Sequence, residues 1–438
     1  MRQPDYHKLL NALSDPMPLT SPSECQEGRL LSVGTTLLRA HLPGVGLGEI
    51  CTLPNDGFAE VIAIEGKEAL LSPYHEPTGL CSGMLVRPKG QRPSLRVSAA
   101  LLGRVLNALG NPVDGLPPPS SGEDRYIDVE PPDPMQRSVI KTIQHTGVRA
   151  IDATLTVGLG QRVGIFAPAG CGKSTLLGML AAGSDADVIV LALIGERGRE
   201  VREFLEQTFT SEIRARCVVV LATSDRPALE RIKAAATATT IAEYFRDRGS
   251  KVLLLVDSLT RYARAIREIA LAAGEPVAAG GYPPSLYARL PRLLERAGPA
   301  ARGGITAFYT VLMEDKTDPL AEEVRSLLDG HIVLSRKLAE ANHFPAIDIL
   351  ASVSRVMHQV TSAPHRDAAA RLRRLMATWQ EVELLVRVGE YQKGQDADAD
   401  EAVERRPLID ALLRQKITEE SPFDVTLSAL CHTVEQPC

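Results

Sequence analysis

The sequence has no long hydrophobic segment. No apolar run approaches the roughly 18 residues that a membrane-spanning helix needs. The first ten residues, MRQPDYHKLL, also lack the positively charged segment followed by an apolar segment that marks a secretory signal peptide. We therefore expect a cytoplasmic protein.

Cysteine pairs and histidine clusters of the metal-binding kind are missing as well. The 7 cysteines include no CxxC pair, and an odd number in a chain of this length favours reduced, mostly buried thiols over a disulfide framework. The 9 histidines show no HExxH or comparable ligand spacing. The sequence thus gives no indication of a zinc site.

The chain has no excess of positive charge. It carries 49 Lys and Arg against 54 Asp and Glu, a net charge of −5, so nucleic acid is not an expected partner. Charged residues make up 24% and hydrophobic residues 44%, which excludes a disordered chain. With 438 residues, two or three domains with a sizeable core are expected.

Residues 30–84 consist of short apolar segments separated by glycine and proline, such as FAEVIAIEG and KEALLSPY. This pattern predicts a small all-β barrel, which we place at residues 23–92. The preceding residues 1–22 contain DYHKLLNALSD, which has the pattern of one short amphipathic helix. We expect this tail to bind a partner or to assist oligomerisation.

Longer apolar runs follow the barrel. Unbroken runs rich in β-branched residues are typical of strands buried on both faces of a parallel sheet. Helical segments alternate with them, which is the α/β pattern, and we expect this domain to span residues 93–362. The runs are RVGIF (162–166), VIVLALI (188–194), CVVVLA (217–222), VLLLV (252–256) and ITAFYTVL (305–312).

The remaining segments complete a multidomain fold. Residues 111–134 are too rich in Pro and Gly for a long element and should drape over a neighbouring domain. Beyond residue 362 the strands cease, and amphipathic patterns predict a helical domain at residues 363–438. The expected fold class is therefore an N-terminal small β-barrel, a central α/β domain with a mainly parallel sheet and a C-terminal helical domain.

The run RVGIF leads directly into APAGCGKST (167–175) and a helical pattern. Closely spaced N–H groups at a helix N-terminus bind a phosphate chain, and glycines let the backbone curl around it. Lys173 can reach the β and γ phosphates, and the Ser174 hydroxyl can bind Mg²⁺. This is a P-loop with Ala167 in place of the first glycine. The predicted nucleotide-binding residues are Ala169, Gly170, Cys171, Gly172, Lys173, Ser174 and Thr175.

The run VLLLVD ends in Asp257, at the carboxyl end of a buried strand. P-loop proteins place there the acid that holds Mg²⁺ through water. Asp257 also precedes a helical pattern, so a helix N-cap is the alternative. We favour the metal role because a P-loop requires a Mg²⁺ site.

The run VIVLALI ends in GERGRE, which places Glu196 at the same edge of the sheet as the P-loop. Hydrolysis requires a carboxylate that orients the attacking water. From its position alone, Glu196 is equally well interpreted as an ion-pair partner of Arg197 or Arg199.

Three further residues remain ambiguous from the sequence alone. Arg261, four residues after Asp257, fits either a phosphate contact or a structural ion pair. Phe344, before a proline, could stack on a base, although a core phenylalanine is more usual. Arg355 could reach a γ phosphate across a subunit boundary, but most arginines are surface or ion-paired residues.

The chain resembles the catalytic subunits of the rotary ATPase superfamily, and most closely the type III secretion system ATPases. The resemblance covers nearly the whole chain, and several strings, such as GERGREVREF and SDRPALER, point to the protein-export branch. The injectisome type is a nearer match than the flagellar type. Other matching strings include GIFAPAGCGKSTLL, DSLTRYARAIREIALAAGEP, GGYPPSLYARLPRLLERAG and FPAIDILASVSRVM.

The resemblance implies a role for each candidate residue. Lys173 and Ser174 would hold phosphate and Mg²⁺, and Asp257 would be the second Mg²⁺ partner. Glu196 would position water, and Arg261 would be an additional site arginine. By the same resemblance Phe344 would face the adenine of ATP, and Arg355 would reach into the neighbouring subunit. One departure is Pro168, which removes an N–H from the outer part of the phosphate loop.

The resemblance also implies an assembly. It predicts a homohexameric ring at the cytoplasmic mouth of an export gate, peripherally associated with the inner membrane, that uses ATP and Mg²⁺ to release and unfold chaperone-bound substrates. A stator-like regulator and a central stalk protein would be its partners.

Rival functions are less favoured. A hexameric RNA translocase needs a basic, aromatic-rich N-terminal barrel, whereas residues 1–92 hold 8 Lys and Arg against 10 Asp and Glu, and only three aromatics. A non-hydrolysing ring subunit would lack the residue at Glu196. A catalytic subunit of a rotary synthase is disfavoured by the export-branch strings.

Overall fold

The computed structural model describes residues 27–208, 210–278, 280–313 and 318–435. The predicted tail at residues 1–22 lies outside this range. The described chain packs into two compact units. The first contains the residues up to 93 with 227–229 and 272–274, and the second contains the rest.

The first unit is a closed antiparallel barrel, as predicted. Its strand order is β1-β2-β5-β4-β3-β6. Alternate residues of the strands, such as Leu38 and Ala40 of β2, point into a continuous apolar core, as a sheet with one buried face requires. The strands are β1 (Gly28–Val33), β2 (Leu38–His41), β3 (Ile50–Thr52), β4 (Phe58–Glu65), β5 (Glu68–Pro73) and β6 (Leu85–Pro88).

The second unit begins with short strands. Residues 111–134 hold no element longer than the four residues of β9, as their Pro and Gly content predicts. They pack on a helix of their own unit, where Thr240 donates to the Ile127 carbonyl at 3.2 Å. The strands are β7 (Ser94–Val97), β8 (Val105–Leu106), β9 (Glu123–Tyr126), β10 (Ile143–Gln144) and β11 (Val157–Gly158).

The central sheet has the order β19-β18-β12-β17-β15-β13-β14-β8. The neighbouring strands of this order run parallel except for β18 and β19, and β16 lies off this order and pairs antiparallel with β17. This confirms the predicted mainly parallel sheet. All seven residues of β13 are buried, which explains the unbroken apolar run. The strands are β12 (Arg162–Ala167), β13 (Val188–Ile194), β14 (Cys217–Ala222), β15 (Lys251–Asp257), β16 (Gly298–Pro299), β17 (Gly304–Leu312), β18 (Gly330–Leu334) and β19 (Ile347–Ser354).

Helices connect and cover these strands. Capping residues start several of them: the Asp318 carboxylate, for example, accepts hydrogen bonds from the first-turn amides of Leu320 and Ala321. The helices are α1 (Arg149–Thr154), α2 (Lys173–Gly183), α3 (Gly198–Thr208), α4 (Ser211–Ala215), α5 (Ala228–Asp247), α6 (Leu259–Ala272), α7 (Pro284–Leu294), α8 (Pro319–Leu327), α9 (Arg336–Glu340) and α10 (Met357–Val360).

The C-terminal region is helical, as predicted. It consists of α11 (Ala363–Val388), α12 (Ala397–Leu413) and α13 (Phe423–Val434). Leu372 and Leu430 of these helices share one apolar core with Ile151 of α1. The boundaries 23–92, 93–362 and 363–438 stay predictions. Across the described residues, no helix combines the length and the apolar character that crossing a membrane requires.

The cysteines differ in part from expectation. Cys51, Cys171 and Cys217 are buried free thiols, and Cys81 is an exposed one. Cys431 is disulfide-bonded. The prediction of reduced thiols is therefore wrong for Cys431, because an odd number of cysteines does not exclude a single bond.

A buried histidine ties the helical region to α1 and predicts a pH dependence. His365 of α11 donates from Nε2 to the Ala153 carbonyl at 2.9 Å, and burial lowers the pKa of its ring. Because the folded-state pKa lies below the unfolded value, stability is lost as the pH falls below about 6.5. We expect the melting temperature to fall between pH 7.5 and pH 5.5, and to fall less in His365→Gln.

The control for this prediction is His432→Gln, since His432 is exposed in α13. Its melting temperature should follow that of the wild type at both pH values. An equal acid-induced fall in His365→Gln and wild type would contradict the assignment to His365.

Candidate active site

The phosphate loop lies between the end of β12 and the start of α2. Gly170 and Gly172 adopt left-handed φ angles of 80° and 82°, which the tight turn requires and which a residue with a Cβ rarely adopts. Helix α2 begins at Lys173, so the N–H groups of its first turn have no partner within the helix. The turn and the helix terminus give residues 169–175 a backbone geometry that is suited to binding an anion, and their binding of a nucleotide stays a prediction.

Lys173 meets both predicted carboxylates at the carboxyl edge of the sheet. Its ammonium Nζ lies 2.5 Å from Asp257 Oδ1 and 3.6 Å from Glu196 Oε1. The pairing of Leu193 with Asp257 across β13 and β15 aligns the two strand ends and explains why the acids converge. All three side chains are largely buried, with exposures of 12% for Lys173, 4% for Asp257 and 17% for Glu196.

Asp257 is held by a residue that the sequence did not single out. Thr310 of β17 is fully buried and donates from its hydroxyl to Asp257 Oδ1 at 2.7 Å. The first turn of the following helix instead uses Ser258, whose hydroxyl accepts from the Arg261 amide at 3.3 Å. This geometry favours the site role of Asp257 over the N-cap. The polar Thr310 within the run ITAFYTVL was the available signal.

Glu196 does not pair with its neighbouring arginines. Arg197 contacts Glu200 at 3.1 Å, and Arg199 contacts Glu203 at 2.7 Å. Burial and the nearby charge of Asp257 raise the pKa of Glu196, whereas Lys173 and Arg261 oppose this shift. Glu196 is thus a partly desolvated acid beside the phosphate loop, which is the environment of a candidate base.

Arg261 lies near this acid and forms no ion pair with any residue that the structure describes. Its Nε is buried and, in the part of the chain that the structure describes, has no hydrogen-bond partner. The start of its side chain packs so closely on Gly195 that a Cβ there would lie 3.0 Å from Arg261 Cβ. A buried guanidinium nitrogen without a partner fits an anion better than a structural ion pair.

Phe344 lies beside the phosphate loop rather than in the core. A Cβ on Gly172 would be 3.5 Å from its ring atom Cε1, and 36% of the residue is exposed. An accessible ring next to the loop is a suitable surface for a base.

Arg355 follows β19 and is exposed. Its amide donates to the Asp329 carbonyl at 3.0 Å. Within the described ranges its guanidinium makes no hydrogen bond or ion pair, and it does not contact Lys173 or Glu196. The other candidates therefore converge within one chain, whereas Arg355 stays outside the cluster.

The residues present fit a magnesium ion. Ser174 in the first turn of α2 offers a hydroxyl, and Asp257 offers a carboxylate beside the phosphate-binding lysine. Oxygen atoms of this kind are the ligands that Mg²⁺ prefers.

A P-loop at the edge of a parallel sheet, with a lysine between two strand-end carboxylates, defines a nucleotide-hydrolysing domain. Models of known families agree. The ATP synthase alpha/beta family, nucleotide-binding domain, matches residues 147–354, and the T3SS EscN ATPase C-terminal domain matches residues 361–432.

Individual relatives are similar over nearly their full length. The chain is 57% identical over 398 residues to the SPI-2 type 3 secretion system ATPase of Salmonella typhimurium, covering 90% of this chain and 92% of the relative. It is 45% identical to the flagellum-specific ATP synthase of Bacillus subtilis, covering 92% of this chain and 94% of the relative. The assembled ATPase EscN of enteropathogenic E. coli superposes with a TM-score of 0.90 at 52% identity, covering 93% of this chain and 100% of EscN.

The chain therefore belongs to the type III secretion system ATPase family. It is an ATPase of the injectisome type, as the resemblance predicted. This membership favours the injectisome interpretation over the RNA translocase and the synthase subunit.

Proposed function

We propose that the protein is the ATP-hydrolysing ring motor of a bacterial type III secretion system. The observation that carries this proposal is the Lys173 ammonium between the carboxylates of Asp257 and Glu196 at the end of the phosphate loop. This arrangement has the groups that phosphoryl transfer to water requires: a cation that binds the phosphates and a carboxylate that orients the attacking water.

Each side chain has a distinct task in the proposed reaction. A triphosphate competes with Asp257 and Glu196 for the Lys173 ammonium, which then neutralises the β and γ phosphates. Ser174 and Asp257 would hold Mg²⁺, which supplies further positive charge to the phosphates. Once Lys173 contacts phosphate, Glu196 is free to accept a hydrogen bond from the attacking water and to orient it. Arg261 binds phosphate oxygens.

The assembly is proposed on the exposure of Arg355 and on the relatives. An exposed arginine without a partner in the described chain is available to a neighbouring subunit, and a head-to-tail homohexamer would place it there. EscN has been solved assembled and in complex with its central stalk EscO. We infer a central stalk protein here too, together with a stator-like regulator, the export gate and chaperone–substrate complexes.

We place the ring on the cytoplasmic side of the inner membrane, at the secretion apparatus. Residues 1–22 would serve partner binding or oligomerisation. The proposed work of the ring is the release and unfolding of chaperone-bound export substrates, with no role for nucleic acid.

The test of this function is Glu196→Gln, which keeps the shape of the side chain but removes its charge. We expect ATP binding to be retained and turnover to fall by a factor on the order of 10² to 10⁴, the contribution of a general base. Binding is measured by calorimetry and turnover by phosphate release with Mg²⁺.

Glu200→Gln is the matched control, because Glu200 lies on the exposed surface of α3 and contacts only Arg197 among the ion pairs of the described residues. Its turnover should equal that of the wild type. Loss of ATP binding and earlier unfolding in Glu196→Gln would instead show that Glu196 is a structural partner of Lys173. Glu196→Gln should also bind a chaperone–substrate complex without releasing the substrate.

A further inference from the structure

Gln415 connects the C-terminal helical region to the loop that carries Phe344. It lies two residues beyond the end of α12 and is buried, with 5% of its surface exposed. Its backbone N–H donates to the Phe344 carbonyl at 2.9 Å. The main chain of the proposed adenine-facing residue is therefore held by a residue from another part of the fold.

The side chain of Gln415 is itself fixed by three hydrogen bonds. Its Oε1 accepts from the Arg149 amide at 2.9 Å, and its Nε2 donates to the carbonyls of Gly147 at 2.8 Å and Glu419 at 2.9 Å. Both amide donors and the acceptor are used, which sets the side chain in one orientation. The position of the Gln415 N–H, and hence of the Phe344 carbonyl, is set in turn.

The turn that receives this side chain packs on the phosphate helix. Gly147 has a φ of +71°, and a Cβ there would lie 2.5 Å from Gly183 Cα at the last residue of α2. The Arg149 Nε donates to the Leu412 carbonyl at 2.9 Å, which adds a second connection from the same turn to α12. Gln415 thus links the base side of the site to the far end of the helix that begins at Lys173.

We propose that Gln415 is a positioning residue that sets the affinity for the nucleotide base by holding Phe344 beside the phosphate loop before ATP binds. The proposal rests on the proposed function, since it takes Phe344 as the base-facing residue. A preformed site binds its ligand without first ordering a loop. The apparent Kd equals the intrinsic Kd divided by the fraction of molecules in which the loop is correctly placed, so a misplaced loop raises the apparent Kd. Gln415 is not among the residues around Lys173, so the hydrolysis step should depend on it little.

The first experiment compares steady-state ATP hydrolysis by Gln415→Ala and wild type. We expect the KM for ATP to rise about tenfold, within the 5- to 150-fold range of couplings between sites, while kcat changes less than about twofold. Gln392→Ala is the matched control, since Gln392 is exposed in the same C-terminal region. Unchanged KM in Gln415→Ala, or a fall in kcat alone, would overturn the proposal.

Inorganic tripolyphosphate separates base positioning from general damage, because it has the phosphates of ATP without the base. Its inhibition constant should be the same for Gln415→Ala and wild type. A parallel weakening of tripolyphosphate and ATP would reveal a merely structural role. If Gln415→Ala does not fold, Gln415→Glu replaces it in the same measurements, since it keeps the acceptor for Arg149 and loses the donors to Gly147 and Glu419.

The double variant Phe344→Ala/Gln415→Ala tests whether Gln415 acts on ATP binding through Phe344. If Gln415 acts through Phe344, the double variant should have the KM of Phe344→Ala alone. A double variant whose KM rises by the product of the two single-variant increases would overturn the proposal. A wild-type protein that does not hydrolyse ATP would contradict the proposed function itself, and is therefore a distinguishable result.

Discussion

Lys173→Ala is expected to hydrolyse ATP at a rate lower than the wild type by a factor on the order of 10³ or more. The ammonium is the cation that the structure places at the end of the phosphate loop, between Asp257 and Glu196. Without it, the β and γ phosphates would approach two carboxylates directly, so both ATP binding and transition-state stabilisation are lost. The measurement is phosphate release at saturating Mg²⁺ and ATP, with ATP binding followed separately.

Lys337→Ala controls for the loss of a lysine, because the Lys337 side chain is 76% exposed. It should leave turnover unchanged. A second control is thermal unfolding of Lys173→Ala, which must show an intact fold for the loss of activity to be assigned to the site. Near wild-type hydrolysis by a folded Lys173→Ala would rule out the assignment of the phosphate-binding lysine.

Arg355→Ala should bind ATP normally and hydrolyse it about 10³ to 10⁵ times more slowly than the wild type, which is the contribution of an arginine finger. Arg355 is exposed and makes no side-chain hydrogen bond or ion pair within the described residues, so its removal should not destabilise the subunit. The expected pattern, intact binding with absent turnover, differs from that of Lys173→Ala.

Arg374→Ala, an exposed arginine of α11, is the matched control and should hydrolyse ATP like the wild type. Normal turnover in Arg355→Ala would make Arg355 an ordinary surface residue. Calorimetric titration of Arg355→Ala with a non-hydrolysable ATP analogue tests whether its nucleotide affinity equals that of the wild type.

The parts of the site that follow strand ends were predictable from the sequence. In a parallel sheet the carboxyl ends of the strands meet at one edge, so the runs ending before Glu196 and at Asp257 place both acids near the P-loop. The barrel and the helical region were equally accessible from their hydrophobic patterns. Local sequence carries this information because each pattern is contained in one element.

The remaining features depend on contacts between distant segments. Thr310 contacts Asp257 across neighbouring strands, and Gln415 contacts Gly147 and Arg149 far away in the sequence. A threonine in an apolar run and a glutamine after a helix have no periodicity or motif that reveals such partners. The ion pairing of Glu196 was undecided for a different, local reason: several acids lie within reach of Arg197 and Arg199, and the structure pairs these arginines with Glu200 and Glu203.

We propose that each active site combines Lys173 and Glu196 of one subunit with Arg355 of the next. Mixing Lys173→Ala with Arg355→Ala under conditions of subunit exchange tests it most directly. Some interfaces would then pair the intact Lys173 of one chain with the intact Arg355 of the other, so ATP hydrolysis should reappear although each variant alone is inactive. Mixed rings shown to contain both chains, yet without hydrolysis, would contradict the shared site.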